Sequence, residues 1–340
     1  MKFQMEKGKR RPRLGLVTVA PMLAAMCAVG LLLPLLTRGL GDLSPTAAWV
    51  LDLAAHWQLI YLAGLSIGVS IAVFGKLQWS LLLFLLPLPW LTAWPMAPDR
   101  VGDGPELVVM AANVSAGNAD PAPLIDWIRS EQPDVVTIVE ISDGFAKNLR
   151  LDETFPYQVV SPRSDPFGLA LLSQHPILDY QIIHDDRGVQ RIEVKLSWRG
   201  NVVTVVAFHP MPPLTPVDHI RRNEDLAMLA SRLADTPAVI LGDFNATPWS
   251  STFAAPAHAG FRLAGGYSPT WPAAWGGFMG LPIDNVLLSR QWSATQREIG
   301  PDVGSDHLPV LTRIALDMKG DRRAFGIIPR VSEILPVAQR

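Results

Sequence analysis

Cysteine is almost absent from this sequence of 340 residues: the single one, Cys27, lies inside an apolar run. The polar remainder therefore has no thiol to form a disulfide, bind a soft metal or act as a nucleophile. Internal repeats and low-complexity segments are missing as well, which leaves no basis for a repeat architecture. A broad excess of positive charge is also lacking. The formal net charge is −2, and Lys2, Lys7, Lys9, Arg10, Arg11 and Arg13 against Glu6 leave −7 for the 327 residues after Arg13. Such an acidic body argues against the electrostatic footprint of a tight nucleic-acid binder.

What the sequence does have is apolar residues, 49% of the chain, and they are concentrated at its front. Three stretches, near 14–36, 54–74 and 77–94, each approach the roughly 20 residues needed to cross about 30 Å of hydrocarbon. They are expected to span a bilayer, making residues 1–94 a membrane anchor. Trp49, Trp57 and Tyr61 near the second stretch and Trp90 and Trp94 at the end of the third fall where aromatic belts form. The basic cluster before the first span should stay cytoplasmic. Three crossings then give a multi-pass protein of the cell (inner) membrane, with its polar half outside the cytoplasm. The third stretch is short and contains Pro87 and Pro89; as a re-entrant segment it would return that half to the cytoplasm.

Residues 95–105, with Pro, Gly and Asp, have the composition of a linker. A domain over 106–317 follows, then a tail at 318–340. Strand-type runs occur at 106–112, 134–141, 169–172, 191–208, 238–241, 283–288 and 308–314, and Arg199-Gly200-Asn201 has the composition of a hairpin turn. Helical spacing marks 123–130 and 217–233, the latter with Ile220, Leu226, Leu229 and Leu233 on one side. Strands with helices between them predict an α/β sandwich of two packed sheets covered by helices.

Polar residues cluster where these strands begin or end, the places from which a sheet aims side chains into a common cleft: Asn113, Glu140, His209, Gly242-Asp243-Phe244-Asn245, Asp284 and Ser305-Asp306-His307. Phosphoester hydrolysis needs a hard cation on oxygen ligands, a base for water, and donors for developing negative charge. Glu140, Asp306 and the amide oxygen of Asn113 suit Mg²⁺ or Mn²⁺. Asp243 is expected to orient or deprotonate the attacking water, with Asn245 two residues on and on the same side of an extended segment. His209 and His307 would meet the other phosphoryl oxygens, and Asp284 is placed to hold an imidazole in its productive tautomer.

The order of these residues, with the runs Gly242-Asp243-Phe244-Asn245, Ile283-Asp284-Asn285 and Ser305-Asp306-His307, resembles the endonuclease/exonuclease/phosphatase superfamily from about Leu107 to Ile314. Asn118-Ala119-Asp120, Phe167-Gly168, His209-Pro210 with Pro212-Pro213, and Ala246-Thr247-Pro248-Trp249 look like its bacterial membrane-anchored branch. The resemblance implies a four-layered α/β sandwich, a Mg²⁺-type site and in-line attack of water on a phosphodiester or phosphomonoester. By the same likeness Asn113, Glu140 and Asp306 fall on metal positions, Asp243 and Asn245 on water-activating and phosphate-orienting positions, His209 and His307 on catalytic-histidine positions, and Asp284 on the histidine-orienting carboxylate. Asn285 and the Val139-Glu140 pair depart from the commoner pattern, and neither removes a required group.

The resemblance selects no substrate, because one scaffold serves many phosphoesters. Membrane tethering and the acidic domain point to a lipid headgroup or small phosphoester; the alternative is a membrane-tethered nuclease on DNA or RNA, and a third reading is a scaffold that has lost catalysis. Trp249, Phe253, Tyr267, Trp271, Trp275 and Phe278 lie between the second and third motifs, either as loop packing or as a platform for bases or lipid. Arg163, Arg187, Arg191, Arg221 and Arg222 are solvated charges or phosphate contacts. Beyond the bilayer and a phosphoester, no protein partner is indicated.

Overall fold

The computed structural model describes residues 16–40, 44–73, 76–99 and 105–316. The basic cluster at 2–13, residues 100–104 of the expected linker and the tail at 318–340 lie outside the described residues.

Alternation along the strands builds two sheets. The strands are β1 (Glu106–Asn113), β2 (Val135–Val139), β3 (Tyr157–Ser161), β4 (Leu169–Ser173), β5 (Ile177–His184), β6 (Gln190–Trp198), β7 (Asn201–Ala207), β8 (Ala238–Asp243), β9 (Arg262–Leu263), β10 (Asp284–Leu288), β11 (Trp292–Ile299) and β12 (Val310–Leu316). One sheet runs β11-β12-β1-β2-β4-β3 and the other β5-β6-β7-β8-β10-β9. Both are mixed: β1 is parallel to β2 and antiparallel to β12, and β7 is parallel to β8, which is antiparallel to β10.

Leu107, Val109 and Ala111 of β1 point between the sheets, where they meet Val205, Val239, Leu241 and Val286. The alternate residues Met110 and Ala112 point outward onto Leu124 and Ile128 of the first helix of the polar half. On the other outer face Val206, Phe208 and Ile240 receive Leu226, Leu229 and Leu233, spaced as the sequence predicts. Each such fully buried aliphatic side chain contributes on the order of 1.5–3 kcal/mol. The result is the expected layering of helix, sheet, sheet and helix. Arg199 and Gly200 both take positive φ in a two-residue turn between β6 and β7, as the hairpin reading requires.

The helices are α1 (Leu16–Leu40), α2 (Pro45–Ala55), α3 (Gln58–Ala72), α4 (Leu88–Thr92), α5 (Ala122–Glu131), α6 (Asp143–Asn148), α7 (Pro216–Leu233) and α8 (Ala254–His258). Three uninterrupted spans were the expectation, and the front half differs from it. Among the described residues α1 alone is long and apolar enough to cross a bilayer by itself. The second stretch holds α3, which with the preceding α2 forms a pair bent by 61°. Side chains take up backbone carbonyls at the bend: Gln58 Nε2 donates to Ala55 O, and His56 Nδ1 lies 2.6 Å from Asp52 O. The third is a 3-10 helix over Leu77–Leu85 followed by α4. Pro87 and Pro89, which lack an N–H, break it there.

The front half packs against the sheets. Residues 95–99, expected as a linker, run along the sheet edges: Ala97 N donates to Leu263 O, and Ala294 N donates to Pro98 O. Arg38 at the end of α1 lies over the Trp94 ring at 4.1 Å and donates to Thr92 O.

Candidate active site

The site lies at one end of the two central strands of each sheet. Asn113 ends β1 and Glu140 follows β2; His209 follows β7, Asp243 ends β8, and Asp284 starts β10. Asp284 and Asp243 are direct partners in the antiparallel register, so both carboxylates leave their sheet at the same level.

Two glycines admit this geometry. Gly242 has φ +145, and a Cβ there would overlap the Phe208 carbonyl oxygen; at Gly168 a Cβ would overlap the Ile141 carbonyl oxygen. Close approach at these points sets Asp243 beside His209 and the start of β4 beside Glu140. Glu140 and Asn245 themselves have φ of 61 and 50. Asn tolerates that region and Glu rarely enters it, so the Glu140 backbone is strained at a point where the fold overdetermines it.

The side chains converge tightly. Asn113 Nδ2 donates to Glu140 Oε1 at 2.9 Å and to Asp243 Oδ2 at 3.2 Å. Glu140 Oε2 accepts from Ala116 N at 3.1 Å. His209 Nε2 stands 3.9 Å from Glu140 Oε1 and 3.7 Å from Asp243 Oδ2, while its buried Nδ1 has no partner among the described residues. Asp243 Oδ1 accepts from Asn245 N at 2.8 Å, and Asn245 Nδ2 donates to Pro210 O at 3.2 Å. His307 joins Asp284 through Nδ1 at 2.9 Å and faces Asp243 Oδ2 through Nε2 at 3.7 Å.

Burial raises Asp243 above the usual carboxylate range; the two imidazoles oppose this and Asp284 adds to it. For His307 burial disfavours the cation, but Asp284 and Asp243 outweigh it and push the imidazole up to about 10.

One predicted ligand is placed differently. Asp306 is exposed, its Oδ2 accepts from Trp271 Nε1 at 3.1 Å, and its carbonyl accepts from Ala273 N. Among the described residues two groups of carboxylates and imidazoles are close enough to share a cation, Glu140 with His209 and Asp243, and Asp243 with Asp284 and His307; Asp306 is in neither. The Asn113 amide turns its nitrogen to the carboxylates and its oxygen to Ser115 N, the reverse of the oxygen contact predicted. A divalent cation fits this donor set. Several acidic oxygens converge in a buried place beside an imidazole nitrogen, where only cations or donors relieve their repulsion.

The arginines are paired: Arg163 with Asp165, Arg187 with Asp218, Arg191 with Glu193 and Asp225, Arg221 with Asp186 and Arg222 with Asp52. A cleft of ≈ 440 Å³ lined by four of them opens beside His209. The loop aromatics divide. Trp249 and Phe253 are buried, Tyr267 stacks on Trp249 at 5.7 Å, and Trp275 and Phe278 are 89% and 72% exposed. Sequence reasoning missed Trp271 as the partner of Asp306. It also missed Arg297, half-buried behind the site with Nη2 donating to Asp284 O, because neither lies in a motif.

Residues 110–307 match the Endonuclease/Exonuclease/phosphatase family. No curated protein matches. Solved structures similar in fold include an endonuclease/exonuclease/phosphatase from Beutenbergia cavernae, at 20% identity over 62% of this chain and 72% of that one, with a TM-score of 0.52. A Bacteroides vulgatus protein described in the same words is 17% identical over 63% and 100% of the two chains, TM-score 0.52. D. rerio TDP2 complexed with a single-strand DNA product is 14% identical over 62% and 100%, TM-score 0.52.

Proposed function

The chain belongs to the endonuclease/exonuclease/phosphatase family, a family of metal-dependent phosphoester hydrolases, and from that premise we propose a phosphodiesterase or phosphatase tethered to a membrane and acting on a lipid headgroup or small phosphoester. Its anchor is residues 1–94 and its catalytic part 106–317.

In this reading Asn113 and Glu140, with Asp306 as a third oxygen donor, hold Mg²⁺ or Mn²⁺. The cation, when bound, offsets charge on the phosphoryl oxygens and lowers the pKa of water. Asp243, raised by burial, accepts a proton from the attacking water or aligns it in line with the leaving oxygen. Asn245 holds the phosphoryl group. His307, kept as imidazolium by Asp284, donates to a phosphoryl oxygen as charge develops, and His209 borders the same space. For Asn113 to bind through oxygen, its amide turns by half a rotation.

The observation that carries the substrate class is the exposure of Trp275 and Phe278 on the loop whose Trp271 binds Asp306. Water opposes such exposure and a lipid surface favours it. Met22, Met26, Val29, Ile67, Phe84 and Leu91 are exposed on the front helices, which supports tethering. A 3-10 helix rises about 2 Å per residue, so the third stretch reaches roughly 28 Å over Leu77–Thr92 despite its brevity.

The full-length chain in detergent micelles with Mg²⁺ or Mn²⁺, assayed on phospholipid, soluble phosphoesters, plasmid DNA and RNA, tests this. Turnover of phospholipid or small phosphoesters, abolished by a chelator, is expected. Cleavage of DNA or RNA without that turnover replaces it with the nuclease reading.

A further inference from the structure

Asp52 belongs to the front half of the chain, yet its side chain is fully buried against the catalytic half. Oδ1 accepts from Ser251 N at 2.6 Å; Oδ2 accepts from Ser250 Oγ at 2.8 Å and from Arg222 Nη2 at 3.2 Å, and lies 3.2 Å from His219 Nε2. Arg222 is fully buried too. Its other terminal nitrogen, Nη1, donates to the backbone carbonyl of Asn245 at 2.5 Å.

A buried ion pair is a weak device for stability, since apolar residues of similar volume often serve as well or better. What this pair does that apolar residues cannot is orient a carbonyl. Asn245 sits at φ 50 with its own N–H on Asp243 and its side chain on Pro210. The guanidinium therefore fixes the third side of the turn that carries both groups assigned to water and phosphate. Trp94 Nε1 donates to Ser250 O at 2.6 Å and Trp249 Nε1 donates to Pro89 O at 2.7 Å, so the segment after Asn245 is clamped by the front half at further points.

We infer that Asp52 is a positioning residue for hydrolysis: through Arg222 it fixes the Asp243–Asn245 turn, which makes a helix of the front half a working part of the active site. The inference rests on the proposed roles of Asp243 and Asn245. It also means that cutting the chain at Pro95 removes a support of the site and leaves Arg222 without its carboxylate partner.

The test uses the full-length chain in detergent micelles with Mn²⁺, on bis(p-nitrophenyl) phosphate and p-nitrophenyl phosphate. Asp52→Asn keeps one acceptor oxygen, for Ser251 N, and puts an amide NH2, to which the Ser250 hydroxyl can turn and accept, where Oδ2 receives Arg222; the charge that holds Arg222 is lost. Its kcat is expected to fall about 10-fold or more with KM nearly unchanged, as for a misplaced catalytic group. The double variant Asp52→Ala with Arg222→Met removes both charges; its thermal midpoint should recover relative to Asp52→Ala alone while kcat stays low. Wild-type kcat in Asp52→Asn, or in a folded double variant, overturns the inference, and Asp52→Asn decides alone if the double variant does not fold. A wild-type protein inactive on both probes counts against the functional reading instead, so the two failures are distinguishable.

Discussion

His307 Nδ1 lies 2.9 Å from Asp284 Oδ2, and the opposite nitrogen of the same ring faces Asp243 Oδ2 at 3.7 Å. The imidazole is thus held between two carboxylates that enter at one level of the β8–β10 pair. Burial lowers its pKa and the carboxylates raise it, with the net result near 10. The cation therefore persists through neutral pH and is lost only as pH rises through that value. Replacing Asp284 with Asn removes the leading raising partner and leaves the burial, so the alkaline limb of the kcat/KM profile should move to lower pH. Profiles of wild type and Asp284→Asn that coincide on the alkaline side would remove His307 from the role of proton-bearing donor.

Glu140 is bound through both oxygens, to Asn113 and to Ala116 N. Glu140→Gln keeps the shape and removes the charge a cation needs. The Mg²⁺ or Mn²⁺ concentration giving half-maximal activity should rise, and turnover at saturating metal should fall on the order of 10²-fold. Metal titrations of activity, with Mn²⁺ binding followed by paramagnetic resonance, separate the two effects. Unchanged metal dependence would place the cation elsewhere.

Gly242→Ala tests the close approach that aligns Asp243. With φ +145 and the Phe208 carbonyl in the way, a methyl group there must displace the backbone. The expected cost is at least about 1–3 kcal/mol, read as a drop in the thermal midpoint. Gly144→Ala, at a helical site where a Cβ would meet only Ser142 Oγ at 3.9 Å, an ordinary contact, should be neutral or slightly stabilising. Equal midpoints for the two variants would contradict the packing described at Gly242.

Trp275 and Phe278 bear on the substrate. Changing both to Ser should lower turnover of phospholipid in vesicles about 10-fold or more, since each exposed aromatic contributes on the order of 1 kcal/mol or more at an apolar surface, and should leave turnover of p-nitrophenyl phosphate unchanged. Equal losses on both substrates would make the loop a structural support of Asp306 through Trp271.

Much of this was legible in the sequence because strand ends and motifs coincide. The apolar run before Gly242-Asp243-Phe244-Asn245 marked β8, and the 3.6-residue spacing of Leu226, Leu229 and Leu233 marked α7. Strand β5 escaped notice since Asp179, Tyr180 and Gln181 leave it mostly exposed and without clean alternation, and β11 carries Thr295 to Glu298 on its polar stretch. α6, at six residues, is too short for periodicity. Asp306 stands out in the sequence through its motif neighbours; that Trp271, 35 positions earlier, donates to its carboxylate is a fact of tertiary structure. The same holds for Asp52, whose partners Arg222 and Ser251 lie 170 and 199 residues away.

The sidedness of the catalytic half can be argued without deciding whether the third stretch crosses. Arg38, near the end of α1, stacks over Trp94 and donates to Thr92, so the far end of α1 and the entrance to the catalytic half share one level. If α1 crosses the bilayer, the catalytic half lies on the side opposite the residues that precede α1. The basic cluster before α1 favours the cytoplasm for those residues, so the proposed tethering predicts catalysis outside. A reporter at Asp99 would disrupt the docking of residues 95–99, so the fusion belongs after Arg340. Alkaline-phosphatase activity there without cytoplasmic fluorescence is expected; fluorescence without phosphatase activity would reverse the orientation. Arg38→Ala loosens this junction without removing the basic cluster, so it should weaken the docking of α1, seen as faster proteolysis near Trp94, while the reporter stays on the same side.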